Sequence, residues 1–96
     1  MHTTSCVSAN LIALAMKIQH AVGQVLSKER QKLGLSQLEL SERASLHLNT
    51  VQGLESGRFN LKLTTVFQMA KALDMPVSEI MESVEAMDLE IPTDDF

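Results

Sequence analysis

The sequence predicts an all-α fold: a five-helix domain with an additional helix in an N-terminal arm. Apolar residues recur at intervals of three and four along most of the chain, which is the period of an α-helix. The 96 residues include no Trp, no Tyr and only three Phe, so aliphatic side chains and Met must build the core. Such a core suits packed helices better than a sheet. Only two Pro and four Gly interrupt the pattern. A chain of this length forms one domain with one modest core.

The first helical pattern runs from about Asn10 to Lys32. Gly23 lies in the middle of it, and we expect this glycine to mark a bend between the arm helix and the first core helix. Gly34 is placed to end the pattern in a left-handed conformation. The apolar positions at helical spacing are Leu11, Leu14, Ile18, Val22, Val25 and Leu26.

Two short helices follow. Ser36 and Glu39 form the pattern S-x-x-E, a capping box that opens a second core helix ending near Ala44. Residues 45–47 connect it to a third helix, from about Leu48 to Glu55. Two short helices joined by a tight turn make a helix-turn-helix unit. The side chains expected to face inward are Leu38, Leu40, Ala44, Val51 and Leu54.

The last two helices follow a loop at residues 58–62. Leu63 or Thr64 begins the fourth helix, whose inner side is expected to hold Val66, Phe67, Met69, Ala70 and Leu73. Pro76 fits the first turn of the fifth helix. The apolar positions of that helix are Val77, Ile80, Met81, Val84 and Met87.

The charges are unevenly distributed. All eight basic residues lie between positions 17 and 73, together with only four acidic residues. The other eight acidic residues lie between positions 74 and 96. The net charge of −4 therefore reflects an acidic C-terminal part, and the rest of the chain is basic. Electrostatic binding to a polyanion depends on the charge of the surface that contacts it and not on the charge of the whole chain. The negative net charge therefore does not exclude nucleic acid as a partner.

Several classes of protein are disfavoured. A single cysteine, Cys6, forms no internal disulfide, and no apolar run is long enough to span a membrane, so we expect a cytoplasmic protein with no membrane partner. The three histidines and Cys6 do not have the spacing of metal ligands. No catalytic Ser/His/Asp or Cys/His grouping and no glycine-rich phosphate loop is found. We therefore expect no enzyme, no metal and no cofactor.

Residues 22–80 resemble the Cro/CI (XRE) family of lambda-repressor-like helix-turn-helix DNA-binding proteins. The matching segments are VGQVLSKERQKLGLSQLELSERA, TVQGLESGRFN and LTTVFQMAKALDMPVSEI. The resemblance implies a five-helix lambda-repressor-like fold and a sequence-specific transcriptional regulator, a dimeric repressor that binds double-stranded DNA. A two-fold dimer would place two recognition helices about 34 Å apart, on inverted half-sites.

The resemblance also assigns roles to individual residues. The start of the third helix enters the major groove, and the residues at the matching base-contacting positions are His47, Leu48, Asn49, Gln52 and Gly53. Asn and Gln side chains can form two hydrogen bonds to adenine. The positions implied to contact phosphate are Gln37, Thr50, Ser56, Arg58, Asn60 and Lys62. Arg30 and Glu55 match a family ion pair with a structural role.

This sequence departs from the family pattern in the turn and in the third helix. Ser45 replaces the usual turn glycine, so it must adopt an unusual backbone conformation or shift the turn. His47 stands where Ser or Thr usually caps the recognition helix, and Leu48 and Gly53 stand where relatives carry polar side chains. Few side chains are left to distinguish bases. Either specificity is low, or DNA shape supplies part of it.

We divide the chain into an N-terminal arm at 1–18 that is a candidate dimerisation helix, the DNA-binding domain at 19–82 and an acidic tail at 83–96. Apolar residues left over on both flanks are interpreted as homodimer contacts, with the C-terminal set favoured. They are Leu11, Leu14, Ile18, Val84, Met87, Leu89 and Ile91. Alternatively, the arm folds back on its own domain. Two other functions remain open: an antitoxin or similar module that neutralises a partner protein such as a toxin, and a helix-turn-helix domain without DNA binding.

Overall fold

The computed structural model of the chain describes residues 3–58 and 60–87, with side chains from residue 11 onward. Within these residues the chain forms five α-helices and no strand: α1 (Thr3–Lys32), α2 (Gln37–Ala44), α3 (Leu48–Ser56), α4 (Leu63–Ala72) and α5 (Val77–Glu85). The predicted all-α class is confirmed. None of the helices in this part of the chain is both long enough and apolar enough to cross a bilayer.

The N-terminal arm and the first core helix are one unbroken helix. α1 begins at Thr3, earlier than the predicted start near Asn10, and continues through Gly23 to Lys32. The predicted bend at Gly23 is wrong, because this glycine has a packing role instead. With a rise of 1.5 Å per residue, the 30 residues of α1 extend about 45 Å, close to the 49 Å long axis of the molecule.

At Gly23 the backbone of α1 closely approaches that of α3. Gly23 is buried, and a Cβ atom built on it would lie 2.3 Å from the carbonyl oxygen of Leu54 and 2.9 Å from that of Glu55. Both neighbours are backbone atoms, which cannot rotate away as a side chain does. Only glycine therefore permits α1 to pack against the C-terminal end of α3.

The ends of α2 follow the local sequence closely. Ser36 is its N-cap, and the capping box with Glu39 is formed as predicted. At the other end Ser45 adopts a left-handed conformation with φ 58° and ψ 43°. The turn between α2 and α3 therefore keeps its geometry, and Ser45 accepts a backbone conformation that costs a non-glycine residue about 1–2 kcal/mol.

All five helices contribute to a single core. The largest fully buried side chains come from each of them, and they are Val22, Leu26, Leu40, Val51, Met69 and Ile80. Ala44, Leu54, Val66, Ala70 and Leu73 are also buried, as predicted. Two predicted inward positions are wrong: Leu38 on α2 and Phe67 on α4 are exposed, Phe67 by 56%. Each lies at the edge of an apolar face where the sequence period alone leaves the orientation undecided.

α5 packs against α1 and α4 through Ile80 and Val84. Pro76 is the N-cap of this helix, one position before the predicted first turn. Val84 is only 5% exposed and belongs to the domain core. The prediction that Val84 contacts a partner chain is therefore wrong, since its side chain is already covered by its own domain.

We expect Gly23→Ala to lower the free energy of unfolding by about 2–3 kcal/mol, because the added methyl group must displace the backbone of α3. Helix propensity alone would give the opposite sign, a gain of about 1 kcal/mol. Urea denaturation of the purified chain followed by circular dichroism measures the difference.

The matched control is Gly34→Ala. Gly34 has a φ of +71°, and a Cβ atom added to it would meet nothing within 4 Å, so its substitution should cost only the strain of the left-handed conformation, about 1–2 kcal/mol. A Gly23→Ala chain as stable as the native chain, or more so, would contradict the close packing of α1 on α3.

Candidate nucleic-acid interface

The first turn of α3 presents its side chains outward. His47 is the N-cap of the helix, with an exposed side chain that makes no capping hydrogen bond. Asn49 is exposed, and Leu48 and Gln52 are half-buried. Val51 on the opposite side of the helix is buried in the core, and this burial fixes the orientation of α3. Two side chains with amide groups therefore point away from the core on one short helix.

Gly53 does not share this outward surface. It is buried, and its carbonyl oxygen accepts hydrogen bonds from the backbone of Arg58 (2.9 Å) and from the Ser56 hydroxyl (3.1 Å). A buried residue without a side chain offers nothing to a base edge. The structure therefore does not support Gly53 as a base-contacting residue, and it assigns its backbone to the end of α3.

Next to α3 lies a concave surface that we call the α3–α4 concavity. It is lined by Leu46, Thr50, Leu54, Arg58, Asn60, Lys62 and Thr65. Four of the six residues predicted to contact phosphate, at positions 50, 58, 60 and 62, are thus brought together by the loop between the two helices. Arg58, Asn60 and Lys62 are exposed. The concavity therefore combines two cations with hydroxyl and amide groups, a set suited to phosphate oxygens.

Ser56 and Arg58 are linked to each other. The Arg58 Nε donates to the Ser56 hydroxyl oxygen at 3.0 Å. This contact holds the Arg58 side chain beside the end of α3. Thr65 lines the concavity as well, although the sequence did not single it out. Its position in the first turn of α4, three residues after Lys62, is the signal that would have found it.

A buried ion pair connects α1 to α3. The Arg30 guanidinium donates to both Glu55 carboxylate oxygens, from Nε at 2.8 Å and from Nη2 at 3.1 Å. The two side chains are only 13% and 5% exposed. A third nitrogen of Arg30, Nη1, donates to the backbone oxygen of Leu35 at 2.6 Å. Arg30 therefore fixes the end of α3 and the loop before α2 at the same time.

Gln37 joins the same network. Its side chain is half-buried, and its Nε2 donates to Glu55 at 2.9 Å. The amide nitrogen carries two hydrogens, so this contact uses one of them. The predicted phosphate-contacting residue is thus positioned by the carboxylate of the ion pair, at the first residue of α2.

A capping box stabilises the N-terminus of α2. The Ser36 N–H donates to the Glu39 carboxylate at 2.8 Å, and the Glu39 N–H donates to the Ser36 hydroxyl at 3.0 Å. The hydrogen bonds from Ser36 keep the pKa of the Glu39 carboxyl below its usual range. Glu39 therefore stays ionised at neutral pH and keeps the first turn of α2 ordered around Gln37.

The residues predicted to contact a second chain fall into different environments. Leu11 is 48% exposed, and Met87 is also exposed, whereas Leu14 and Ile18 are half-buried. Ile18 packs partly against the core of its own domain. Leu89 and Ile91 lie outside the described residues. Of the described ones, the exposed members are Leu11 and Met87, one on each flank.

Comparisons with known proteins agree with this geometry. Residues 26–80 match the family model described as Helix-turn-helix. The chain is 37% identical over 49 residues to a protein of Methanothermobacter thermautotrophicus named as an HTH-type transcriptional regulator, covering 51% of this chain and 71% of that one. These matches confirm the resemblance to the XRE-type helix-turn-helix proteins.

Solved structures give the same result. The restriction-modification controller protein C.AhdI of Aeromonas hydrophila is similar with a TM-score of 0.63 and 34% identity, over 65% of this chain and 94% of that one. The clp gene regulator ClgR of Corynebacterium glutamicum has a TM-score of 0.70 at 21% identity, over 75% of this chain and 94% of that one. The second likeness concerns the fold alone.

We expect Arg30→Met to reduce the free energy of unfolding by roughly 3–5 kcal/mol, because it leaves the Glu55 carboxylate buried without its cation. Lys32→Met is the matched control. It removes an exposed ion pair with Glu29, a kind of contact worth at most about 1 kcal/mol. Chemical denaturation at neutral pH gives both values, and equal losses for the two variants would show that the buried pair does not hold the helices together.

Proposed function

The chain belongs to the XRE-type helix-turn-helix family of DNA-binding transcriptional regulators, and on this premise we propose that it is a dimeric repressor. In this proposal α3 is the recognition helix and enters the major groove of double-stranded DNA. Each protomer contacts one of two inverted half-sites. The observation that carries the proposal is the outward first turn of α3 beside the α3–α4 concavity.

In this proposal the side chains at the start of α3 contact the bases. Asn49 is exposed, and its amide has the donor and acceptor geometry that matches adenine in the major groove. Gln52 lies one helical turn later and can pair in the same way. Leu48 offers an apolar contact for a thymine methyl group, and His47 stands exposed at the helix N-terminus. Sequence preference then rests on two amides and is completed by DNA shape.

In this proposal the residues of the α3–α4 concavity and Gln37 contact the phosphates. Arg58 and Lys62 supply positive charge, and Thr50 and Asn60 supply hydrogen-bonding groups on the same concave surface. Gln37 lies at the N-terminus of α2, where backbone N–H groups and the helix dipole favour an anion. Such contacts position the protein on DNA without distinguishing bases, and they make binding dependent on salt.

The base contacts can be tested with Asn49→Ala. Fluorescence anisotropy with the DNA upstream of the chain's own gene, against a random duplex of equal length, measures the preference. We expect Asn49→Ala to weaken specific binding by about 1–3 kcal/mol, or roughly 5- to 150-fold, with little change in binding to the random duplex. Equal losses on both duplexes would contradict a base contact by Asn49.

The phosphate contacts can be tested with Lys62→Ala. We expect the slope of log affinity against log salt to become shallower by about 0.9, the value for one lost phosphate contact, on specific and random duplexes alike. Lys71→Ala is the matched control, because Lys71 is exposed on α4 but does not line the concavity. If the two variants change the slope equally, the concavity is not the phosphate-binding surface.

A further inference from the structure

An open, mostly apolar groove lies between α1 and the end of α5. We call it the α1–α5 groove, and it is lined by Met16, Lys17, His20, Ala21, Gln24, Gly57 and Met87. Its volume is about 500 Å³, comparable to pockets that hold organic ligands. Met16 is 64% exposed and Met87 is 40% exposed, although both are large hydrophobic residues. The described part of the chain therefore leaves two apolar side chains of this groove uncovered.

The groove continues along α1 towards its N-terminus. Its α1 residues belong to two neighbouring rows with a spacing of four, and side chains in such rows form parallel ridges on a helix surface. Continued towards the N-terminus, one row reaches Ile12 and the other reaches Ala13. Both residues are exposed, Ile12 by 62%. We call the depression between these ridges the α1 furrow, and its rows are Ile12, Met16, His20 and Gln24 on one side and Ala13, Lys17 and Ala21 on the other.

The end of α5 points along this furrow. A second recess on α1 is lined by Gln24, Val25, Lys28, Glu29, Lys32, Ser83 and Met87. Ser83 lines this recess but not the α1–α5 groove, and the α1 residues beside it lie at positions 24–32. Met87, four residues later, also lines the groove, whose α1 residues lie at positions 16–24. As the chain proceeds from Ser83 to Met87 it therefore advances towards the N-terminal half of α1, where Met16 and Ile12 are exposed.

The sequence that follows Met87 is DLEIPTDDF, at residues 88–96. Acidic and apolar residues alternate at its start, with Leu89 and Ile91 as the apolar members. Pro92 disfavours a helical conformation at Ile91. In an extended chain, alternate side chains point to opposite sides, so this pattern gives one apolar side and one acidic side. Such a segment matches a furrow that is apolar at its base and open to solvent above.

We propose that residues 88–96 bind along the α1 furrow of their own chain, with Leu89 against Met16 and Ile91 between Ile12 and Ala13. The proposal goes beyond the proposed function and does not depend on it. In this arrangement the two apolar side chains of the C-terminal segment cover apolar side chains of α1, and its acidic side chains face solvent and Lys17.

The length of the segment agrees with the length of the furrow. Met87 and His20 line the same groove. Ile12 precedes His20 by eight residues, which is about 12 Å along the helix axis. Ile91 follows Met87 by four residues, which span about 13 Å in an extended chain. Ile91 can therefore reach Ile12 without any change in the position of α5.

Tethering and charge select this segment as the occupant. Met87 is itself a lining residue, so the residues that follow it are held at the groove at an effective concentration of about the millimolar range. A free peptide of similar sequence, or the same segment of a second copy, lacks this advantage. None of the described residues that line the groove is acidic, and Lys17 contributes a positive charge. Residues 88–96 carry four acidic residues and no basic residue, so the two surfaces are complementary in charge.

The first test is methyl NMR of the full native chain without DNA. We expect nuclear Overhauser effects (NOEs) from the methyl group of Met16 to those of Leu89, and from the methyl groups of Ile12 to those of Ile91. Met81 is the internal control, because it is exposed on α5 but does not line the groove, and its methyl group should show no NOE to either residue of the segment. Absence of the NOEs from both Met16 and Ile12 would overturn the proposal.

The second test uses substitution of the segment. We expect Leu89→Ser to move the methyl resonance of Met16 towards that of a fully exposed methionine and to leave the resonance of Met81 in place. Leu38→Ser is the matched control, because it makes the same change at an exposed leucine on α2 and should leave both resonances unchanged. Circular dichroism verifies that both variants are folded. A Met16 resonance that responds equally to the two variants would contradict a contact with Leu89.

The third test identifies the chain that supplies the segment. In an equimolar mixture of ¹³C-labelled and unlabelled chains, isotope-filtered spectra report only contacts between different chains. Contact within one chain predicts that these spectra contain no NOE between Met16 and Leu89, although the fully labelled sample shows it. An NOE in the filtered spectra would place the segment of a second copy in the furrow and overturn the assignment to the same chain.

Discussion

The Arg30–Glu55 ion pair joins the last turns of α1 to the end of α3, and the position of the exposed turn of α3 depends on it. Glu55 receives two hydrogen bonds from Arg30 and one from Gln37, so a single carboxylate is shared by three helices. Both charges are largely withdrawn from solvent. Buried pairs of this kind contribute little net stability compared with apolar residues, but losing one partner is costly. The pair therefore fixes an arrangement of helices more than it adds to stability.

The arrangement has a second constraint, which is steric. Gly23 permits the backbone of α1 to approach the last turn of α3, next to the residue that carries the Glu55 carboxylate. The close contact at Gly23 and the ion pair of Arg30 both hold α1 against the end of α3. The first acts through shape and the second through charge. Together they leave α3 little freedom to rotate about its axis. Asn49 and Gln52 are presented outward because Val51 and Leu54 are held inward.

A structural feature can be predicted from the sequence when the residues that determine it lie close together along the chain. The capping box of Ser36 and Glu39 is complete within four residues, and its prediction is confirmed. The period of α4 predicts an inward Phe67 because this residue lies beside a true apolar stripe, and only the tertiary packing shows that its side chain is exposed. A glycine in a helical pattern such as Gly23 has two explanations, a bend or a close contact, and the partner that distinguishes them lies about thirty residues away. Four residues of the α3–α4 concavity follow from family positions, whereas Thr65 follows only from its place in the first turn of α4, three residues after Lys62.

The continuity of α1 restricts how this protein can change during evolution. The apolar face of the arm and the face that packs in the core share one helical phase, because no bend or loop separates them. Insertion of one residue between Leu14 and Ile18 would turn the arm by about 100° relative to the domain. Insertions or deletions of three, four or seven residues nearly restore the phase. The length of α1 can thus change only in steps of about one or two helical turns, whereas substitutions at its exposed positions leave both the helical phase and the core unchanged.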